Sequence, residues 1–396
     1  MSGGPLAGVK VLELARILAG PWAGQVLADL GADVIKVERP GSGDDTRGWG
    51  PPFVEGSDGE ALDAAYFHGC NRGKRSVEID LASPEGQEAV RALVARSHVL
   101  IENFKTGGLA AYGLDYEAVR RINPALVYCS ITGFGHTGPR ADEAGYDFMI
   151  QGMSGLMDVT GEPDGEPQKV GVAVADLITG LYSVIGIQAA LSHARATGEG
   201  QHIDMSLFDC QTAGLVNQAM NYLVSGTSPR RLGNAHPNIA PYETVSVADG
   251  HVIVAVGNDR QFKKLMEILG EPQLAGDRRY LTNAARVKNR AALHKTLAQL
   301  CGTWTRDNLL AALKLQNVPA GPINTVADAL NDPQTVARGL KLDRDHRGAK
   351  GGTVPSVRTP IIMSATPLVY GRAAPRLGEH TDEVLSGLKP PKRETP

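Results

Sequence analysis

"VKVLELARILAGPWAGQVLADLGADVIKVER", residues 9 to 39, decides the fold. Two β-branched runs, "VKVLEL" (9 to 14) and "ADVIKVE" (32 to 38), flank a stretch of helical spacing from Pro21 to Leu30 that Gly31 closes. Strand, helix and strand in so short a span form a βαβ unit, whose strands lie parallel in one sheet. The first turn offers Ala19-Gly20-Pro21, with Gly24 further on, and lacks the G-x-G-x-x-G of a dinucleotide site. The positive helix end still suits an anion, and Arg39 follows the second strand where it can meet a phosphate. An ordinary crossover explains the same residues.

The rhythm continues outward. "HVLIEN" (98 to 103) and "LVYCSIT" (126 to 132) read as strands, with helices predicted over Pro84 to Ala95 and Tyr116 to Ile122. A longer helical pattern runs from Asp176 to about Thr197, where "GEG" stops it. The fold class is therefore α/β around a parallel sheet. At 396 residues, 42 % of them hydrophobic, the chain exceeds one core and divides into domains. "VSGTSPRRLGNAHPN" (224 to 238) reads as a linker into a different texture, "YETVSVADGHVIVAVGN", where two strands surround the turn Asp249-Gly250 and helices follow. The division expected is 1–200 for the first part of a large domain, 225–325 for a small central α+β domain, and 326–390 for a return to the large one. Residues 391–396, in "KPPKRETP", are expected to be a disordered tail.

Charge and composition exclude several classes. Lys+Arg 40 against Asp+Glu 43, with no long block of one sign, argues against nucleic acid. The ten histidines form no HExxH, and Cys70, Cys129, Cys210 and Cys301 form no CxxC pair. No metal site and no disulfide framework are signalled, which suits a reducing cytoplasm. Lys10, Glu13 and Arg16 break the first apolar run, so no signal peptide is expected. Leu177 to Leu191 is shorter than the roughly 20 residues of a membrane span.

Three stretches can carry chemistry. "CNRGKRSVEIDL" (70 to 81) sets Arg72, Lys74 and Arg75 before a strand, either to hold a phosphorylated ligand or as a solvated turn. "GVAVADLITG" (171 to 180) places Asp176 among small and apolar neighbours. That aspartate either caps the helix it begins or attacks an acyl group, and the two roles compete, because bonds from N–H groups lower a carboxylate's basicity. "RLGNAHPNIAPYE" (231 to 243) is either a connection or a loop whose backbone N–H groups at Gly233 and Asn234, with His236, stabilise an oxyanion.

Together these stretches, with "IENFKTGGLAAYGLDYE", "CSITGFGHTGP", "AGYDFMIQGMSGLM", "GEGQHIDMSLFD", "GPINTV" and "LGEHTDEVL", resemble the class III CoA-transferases, the CaiB/BaiF family, through most of the chain. The resemblance implies a Rossmann-like large domain that binds CoA, a small central domain, and a homodimer of two interlocked ring-shaped chains. It places the family's catalytic aspartate on Asp176, which carries the acyl group and then CoA. Arg39, Ile79, Asp80, Asn103 and Phe104 are implied at the CoA site, with Ile17, Leu18 and Tyr146 beside it; Lys105, Lys74 and Arg75 are added from charge alone.

Departures from the family pattern narrow the activity. Tyr146 stands where the racemase branch has a histidine, and a phenol is a poor proton shuttle at neutral pH. Leu18 replaces the glutamine of formyl-CoA:oxalate transferases, and "GNAHPN" replaces their run of glycines. Thr106 and Ala111 replace a proline and an arginine, leaving one CoA phosphate contact without its usual residue. The pattern is most similar to members that move CoA from succinyl-CoA to a dicarboxylate such as glutarate or itaconate. The alternatives are an acyl-CoA racemase and a non-catalytic CoA-binding protein. A dicarboxylate requires a cation for its far end, and Arg47, with Trp49 beside it, is the candidate; a surface ion pair with Asp44 or Asp45 explains Arg47 equally.

Overall fold

The computed structural model describes residues 3–388, and the tail expected at 391–396 lies outside the described residues. The chain divides into two compact units. Among the described residues the first comprises 3–156, 170–224 and 334–388, and the second 157–169 and 225–333.

In the first unit, β1 (Lys10–Glu13) and β2 (Asp33–Glu38) pair in parallel, Val11 opposite Val34, with the helix Ala19–Asp29 between them in sequence. A short antiparallel hairpin follows, β3 (Phe53–Glu55) with β4 (Ala61–Ala64). The main sheet then continues through β5 (Arg75–Glu78), β6 (Val99–Glu102), β7 (Val127–Thr132) and β8 (His202–Ser206). Its order is β5-β2-β1-β6-β7-β8, with every pairing parallel. Without the hairpin this is the doubly wound order 3-2-1-4-5-6, whose winding reverses between β1 and β6.

Alternate residues face opposite sides of the sheet. Val11, Val34, Val99 and Ile101 pack in one cluster with the helices Ala19–Asp29 and Val174–Thr197. Leu12, Leu100 and Tyr128 pack in another with the helix Pro84–Val94. Both faces are covered, which is why the strands read as nearly continuous apolar runs.

The helix Val174–Thr197 has 24 residues, longer than the Leu177 to Leu191 stretch read from the sequence, and with a mean hydropathy of 1.6 in its most apolar window it is long and apolar enough to cross a membrane by length and composition only. Its buried face, Ala175, Thr179, Ser183, Ile187 and Leu191, is set at four-residue intervals. The hydroxyls of Thr179 and Ser183 donate to the carbonyls one turn back, at 2.7 and 2.8 Å.

The C-terminal part rejoins the first unit through buried charge. Arg72 forms an ion pair with Asp29 at 2.6 Å and donates to the Val357 carbonyl at 3.0 Å, beside the hairpin of β12 (Lys341–Asp345) and β13 (Thr353–Val357).

In the second unit, β9 (Tyr242–Val247), β10 (Gly250–Ala255) and β11 (Ala320–Pro322) form an antiparallel sheet, packed by helices including Asp259–Ile268 and Arg290–Cys301. It also takes in 157–169 and continues to 333, beyond the expected 225–325.

Candidate active site

In a doubly wound sheet a crevice forms at the carboxyl ends of the strands where the winding reverses. Here those ends are locked together. Arg16, just past β1, donates its N–H to Oδ1 of Asn103, just past β6, at 2.9 Å. Nδ2 of Asn103 returns a bond to the Arg16 carbonyl at 2.7 Å. Ile17 then adopts φ 73°, a left-handed conformation costly for a β-branched residue, while its N–H faces both oxygens of Asp44 at 3.3 Å. A cavity of about 410 Å³ opens at this kink, and Ile17, Leu18, Phe104, Lys105, Tyr146 and Asp176 are among its lining residues. Gly133 and Gly145 cross at its wall so closely that a Cβ on Gly133 would stand 2.5 Å from the Gly145 Cα.

Asp176 does not cap its helix. The helix starts two residues earlier, at Val174, and its free N–H groups are met from another segment: Asp147 Oδ1 accepts from Ala175 N at 2.8 Å and Asp176 N at 3.4 Å. Asp147 is held in turn by Gln151, whose Nε2 donates to its second oxygen at 2.7 Å and whose Oε1 accepts from Val170 N at 2.9 Å. The dipole end is thus satisfied by one aspartate while the other faces the cavity. Among the described residues no hydrogen bond reaches the Asp176 carboxylate. Burial, with the nearby Asp147 charge, pushes its pKa up from 3.8 to about 7. Tyr66, edge-on to Trp49 at 5.5 Å, is pushed up to about 12 by burial and by the Asp176 charge.

A second cavity, of about 220 Å³, shares Arg16 and Phe104 with the first and is lined also by Arg39, Ile79, Asp80 and Tyr112. Arg39 is exposed there. Two adjacent chambers, one with an apolar floor beside a cation and one holding a carboxylate, suit a long thioester whose anionic end and reacting end differ in chemistry. The expected positions Ile17, Leu18, Asn103, Phe104, Lys105, Tyr146 and Asp176 meet at the first chamber, and Arg39, Ile79 and Asp80 at the second.

Other expected positions are committed elsewhere. Lys74 is fully buried, its Nζ 2.8 Å from Glu13 and bonded to the Pro21 carbonyl at 2.8 Å, so it holds the sheet rather than a phosphate. Arg75 is bound to Asp33 and Glu383. Arg47 is not a surface residue. It makes a fork with both oxygens of Glu38 at 2.8 and 2.7 Å, reaches Asp63 at 2.6 Å, and lies 3.7 Å over the Phe67 ring. A guanidinium so fully paired has nothing left for a substrate. Trp49 remains about half exposed.

The loop residues Gly233, Asn234 and His236 belong to the second unit. There the Gly233 N–H donates to the Gly161 carbonyl at 3.0 Å and so is not free for an oxyanion, while the His236 N–H donates to the Tyr242 carbonyl at 2.9 Å and its ring Nδ1 accepts from Asn238 N at 3.1 Å. The Asn234 side chain donates to Thr244 Oγ1 at 3.2 Å. Lining or neighbouring residues not among the expected site positions are Arg16, Tyr66 and Asp147. The first carried a signal, since it is the sole cation in the turn after β1.

Comparison with known proteins gives the family. The model of CoA-transferase family III matches residues 6–381. The succinate–glutarate CoA-transferase of Agrobacterium fabrum is 61 % identical over 386 residues, 97 % of this chain and 96 % of that protein. The human succinyl-CoA:glutarate CoA-transferase is 41 % identical over 381 residues, 96 % of this chain and 85 % of that one. The crystal structure of a CaiB/BaiF family protein from Brucella suis superposes with a TM-score of 0.87 at 61 % identity, covering 98 % of this chain and all of that one. A doubly wound sheet with a carboxylate in the crevice at its switch point, matched end to end by these relatives, makes the chain a member of CoA-transferase family III, the CaiB/BaiF family, and a CoA-transferase.

Proposed function

We propose that the chain moves CoA from succinyl-CoA to a second dicarboxylate, with Asp176 as the covalent carrier. The observation that carries this reading is the division of labour between two aspartates: Asp147 satisfies the helix end, and the Asp176 carboxylate is left unbonded at the cavity. Both named transferases above act on these substrate classes, which supports the donor and the acceptor.

The chemistry follows from that free oxygen. It attacks the thioester carbonyl, expelling CoA thiolate and forming a succinyl–aspartyl anhydride. The thiolate attacks the aspartyl carbonyl, releasing succinate and leaving CoA as a thioester on Asp176. The acceptor carboxylate attacks that thioester, expelling CoA thiolate and forming an acceptor–aspartyl anhydride, and the thiolate then attacks the acceptor acyl carbonyl, giving the acceptor's CoA thioester and the free aspartate. Anhydrides hydrolyse readily, so a chamber walled by Ile17, Leu18 and Phe104 serves the reaction by limiting water. Incubation with succinyl-CoA should place a mass adduct on the peptide that contains Asp176, released by hydroxylamine. An adduct on another peptide would move the nucleophile there.

The pH dependence has a definite sign. Only ionised Asp176 attacks, so kcat/KM should fall as pH drops through about 7, well above the ordinary aspartate value. Asp147→Asn keeps an acceptor for the helix N–H groups but removes the negative neighbour, so the acid limb should move to lower pH. A limb that stays in place in that variant would mean that burial alone sets the proton affinity.

The apolar side chains Leu181, Tyr182 and Ile185, and Leu223 and Val224, are exposed on the first unit, which supports burial in an interlocked homodimer; a monomer in sedimentation would remove that part. Four free, buried cysteines support a cytoplasmic setting.

A further inference from the structure

The site as described lacks a partner for the far carboxylate of a dicarboxylate, since Arg47, Lys74 and Arg75 are committed elsewhere. The lining of the Asp176 chamber contains four acids, Asp142, Glu143, Asp147 and Asp176, and two cations, Arg16 and Lys105. An anionic substrate entering such a chamber needs one of those cations to offset the repulsion. Arg16 is the better placed. Its backbone is fixed on both sides by Asn103 and by the Ile17 kink, so its side chain starts from a rigid base. It also lines both chambers, which share it and Phe104.

The Arg16 guanidinium is paired with Asp45 in a contact that differs in kind from the Arg47 pair. The Arg16 and Asp45 side chains are 49 and 47 % exposed, whereas those of Arg47 and Glu38 are 6 and 1 % exposed. A half-exposed pair is worth little and exchanges readily, while a buried pair does not. Asp45 is brought there by the same residue that fixes the kink. Asp44 faces Ile17 N and also accepts from Thr46 N at 3.0 Å and Thr46 Oγ1 at 2.8 Å, capping the short helical turn Asp45–Gly48. Arginine and resident carboxylate are thus held opposite each other by one anchor.

We propose that Arg16 recognises the far carboxylate of the dicarboxylate, and that Asp45 is a stand-in carboxylate which the substrate displaces. This rests on the dicarboxylate reading above. The planar guanidinium fork matches a carboxylate, and a monocarboxylate of the same chain length leaves it on Asp45.

The test compares glutarate with valerate as acceptors for succinyl-CoA, as a ratio of kcat/KM within each enzyme preparation, so that the fraction of folded protein cancels. Arg16→Ala should lower the glutarate-over-valerate ratio about 10- to 100-fold, the size of a lost charge-assisted hydrogen bond. Asp45→Asn should act in the opposite direction, lowering the glutarate KM about two- to fivefold, because the competing carboxylate is gone. A merely structural pair would move both variants the same way. Wild-type protein without a preference for glutarate would sink the dicarboxylate reading itself. A wild-type preference that survives Arg16→Ala, or that collapses only in Lys105→Ala, would overturn the role of Arg16 and leave that reading intact.

Discussion

Asp176→Asn is expected to lower CoA transfer by about 10⁴-fold or more, the scale seen when a covalent nucleophile is removed, while CoA still binds. Binding should persist because the chamber lined by Arg39, Ile79 and Phe104 does not include Asp176. The variant should also be stably folded. In the native state Asp176 holds its proton to about pH 7, against an ordinary value of 3.8, so between those values the folded chain binds more protons than the unfolded one. Native stability therefore falls as pH rises through that window, and above it the full cost of the buried charge is present. The amide carries no such charge, so at pH 8 the variant should melt no lower than the wild type. Lost transfer with an equal or higher Tm and unchanged CoA affinity would separate chemistry from folding. Residual turnover near the wild-type rate would mean that the acyl group never resides on this oxygen.

Much of this fold was legible because its strands announce themselves locally. "VKVLEL", "ADVIKVE", "HVLIEN" and "LVYCSIT" each enclose an observed strand, and the parallel arrangement follows from the helices between them. β8 escaped notice because "HIDMS" is polar, as an edge strand can afford to be. The position of Asp176 was legible through the family resemblance, but its freedom was not. Local capping rules assign the helix start to the nearest aspartate, and here the acceptor comes from Asp147, 28 and 29 residues away in sequence from the two N–H groups it meets. Charge was read least well. Lys74 and Arg47 sit in polar, glycine-rich stretches that look solvated. Their partners, 61 residues away for Lys74 and 9 and 16 for Arg47, are set by strand order and side-chain direction. Local charge density does not encode whether a cation will find a buried carboxylate.

Glu13 should be the most costly charge to remove from the scaffold. It ends β1 with its side chain fully buried, and its carboxylate serves two ammonium groups at once, Lys36 at 3.0 Å and Lys74 at 2.8 Å. The site is built around it. Gly24 presents no side chain because a Cβ there would stand 1.8 Å from Glu13 Oε2, so the first helix closes directly over the carboxylate. Its two partners differ. Lys36 has Asp44 as a second carboxylate at 2.9 Å and is raised above the ordinary lysine value, whereas Lys74 has Glu13 alone and burial lowers it. Glu13→Gln keeps an amide oxygen as an acceptor but removes the negative charge, so the buried Lys74 ammonium is left among neutral acceptors only, including the Pro21 carbonyl and Asn71 Oδ1, both at 2.8 Å. An uncompensated buried charge costs about 3–5 kcal/mol, a large share of the 5–15 kcal/mol that keeps a domain folded. The denaturation midpoint, measured at fixed protein concentration, should drop accordingly. Lys74→Met added to Glu13→Gln should recover most of that loss, because it removes the stranded cation while Lys36 keeps Asp44. A loss below about 1 kcal/mol in the single variant would show that water or a rearranged side chain replaces the carboxylate. Failure of the double variant to recover would place the cost on Lys36 instead. Lys36 also donates to the Ala15 carbonyl at 2.7 Å, and in that case the damage would pass directly into the turn that carries Arg16 and Ile17.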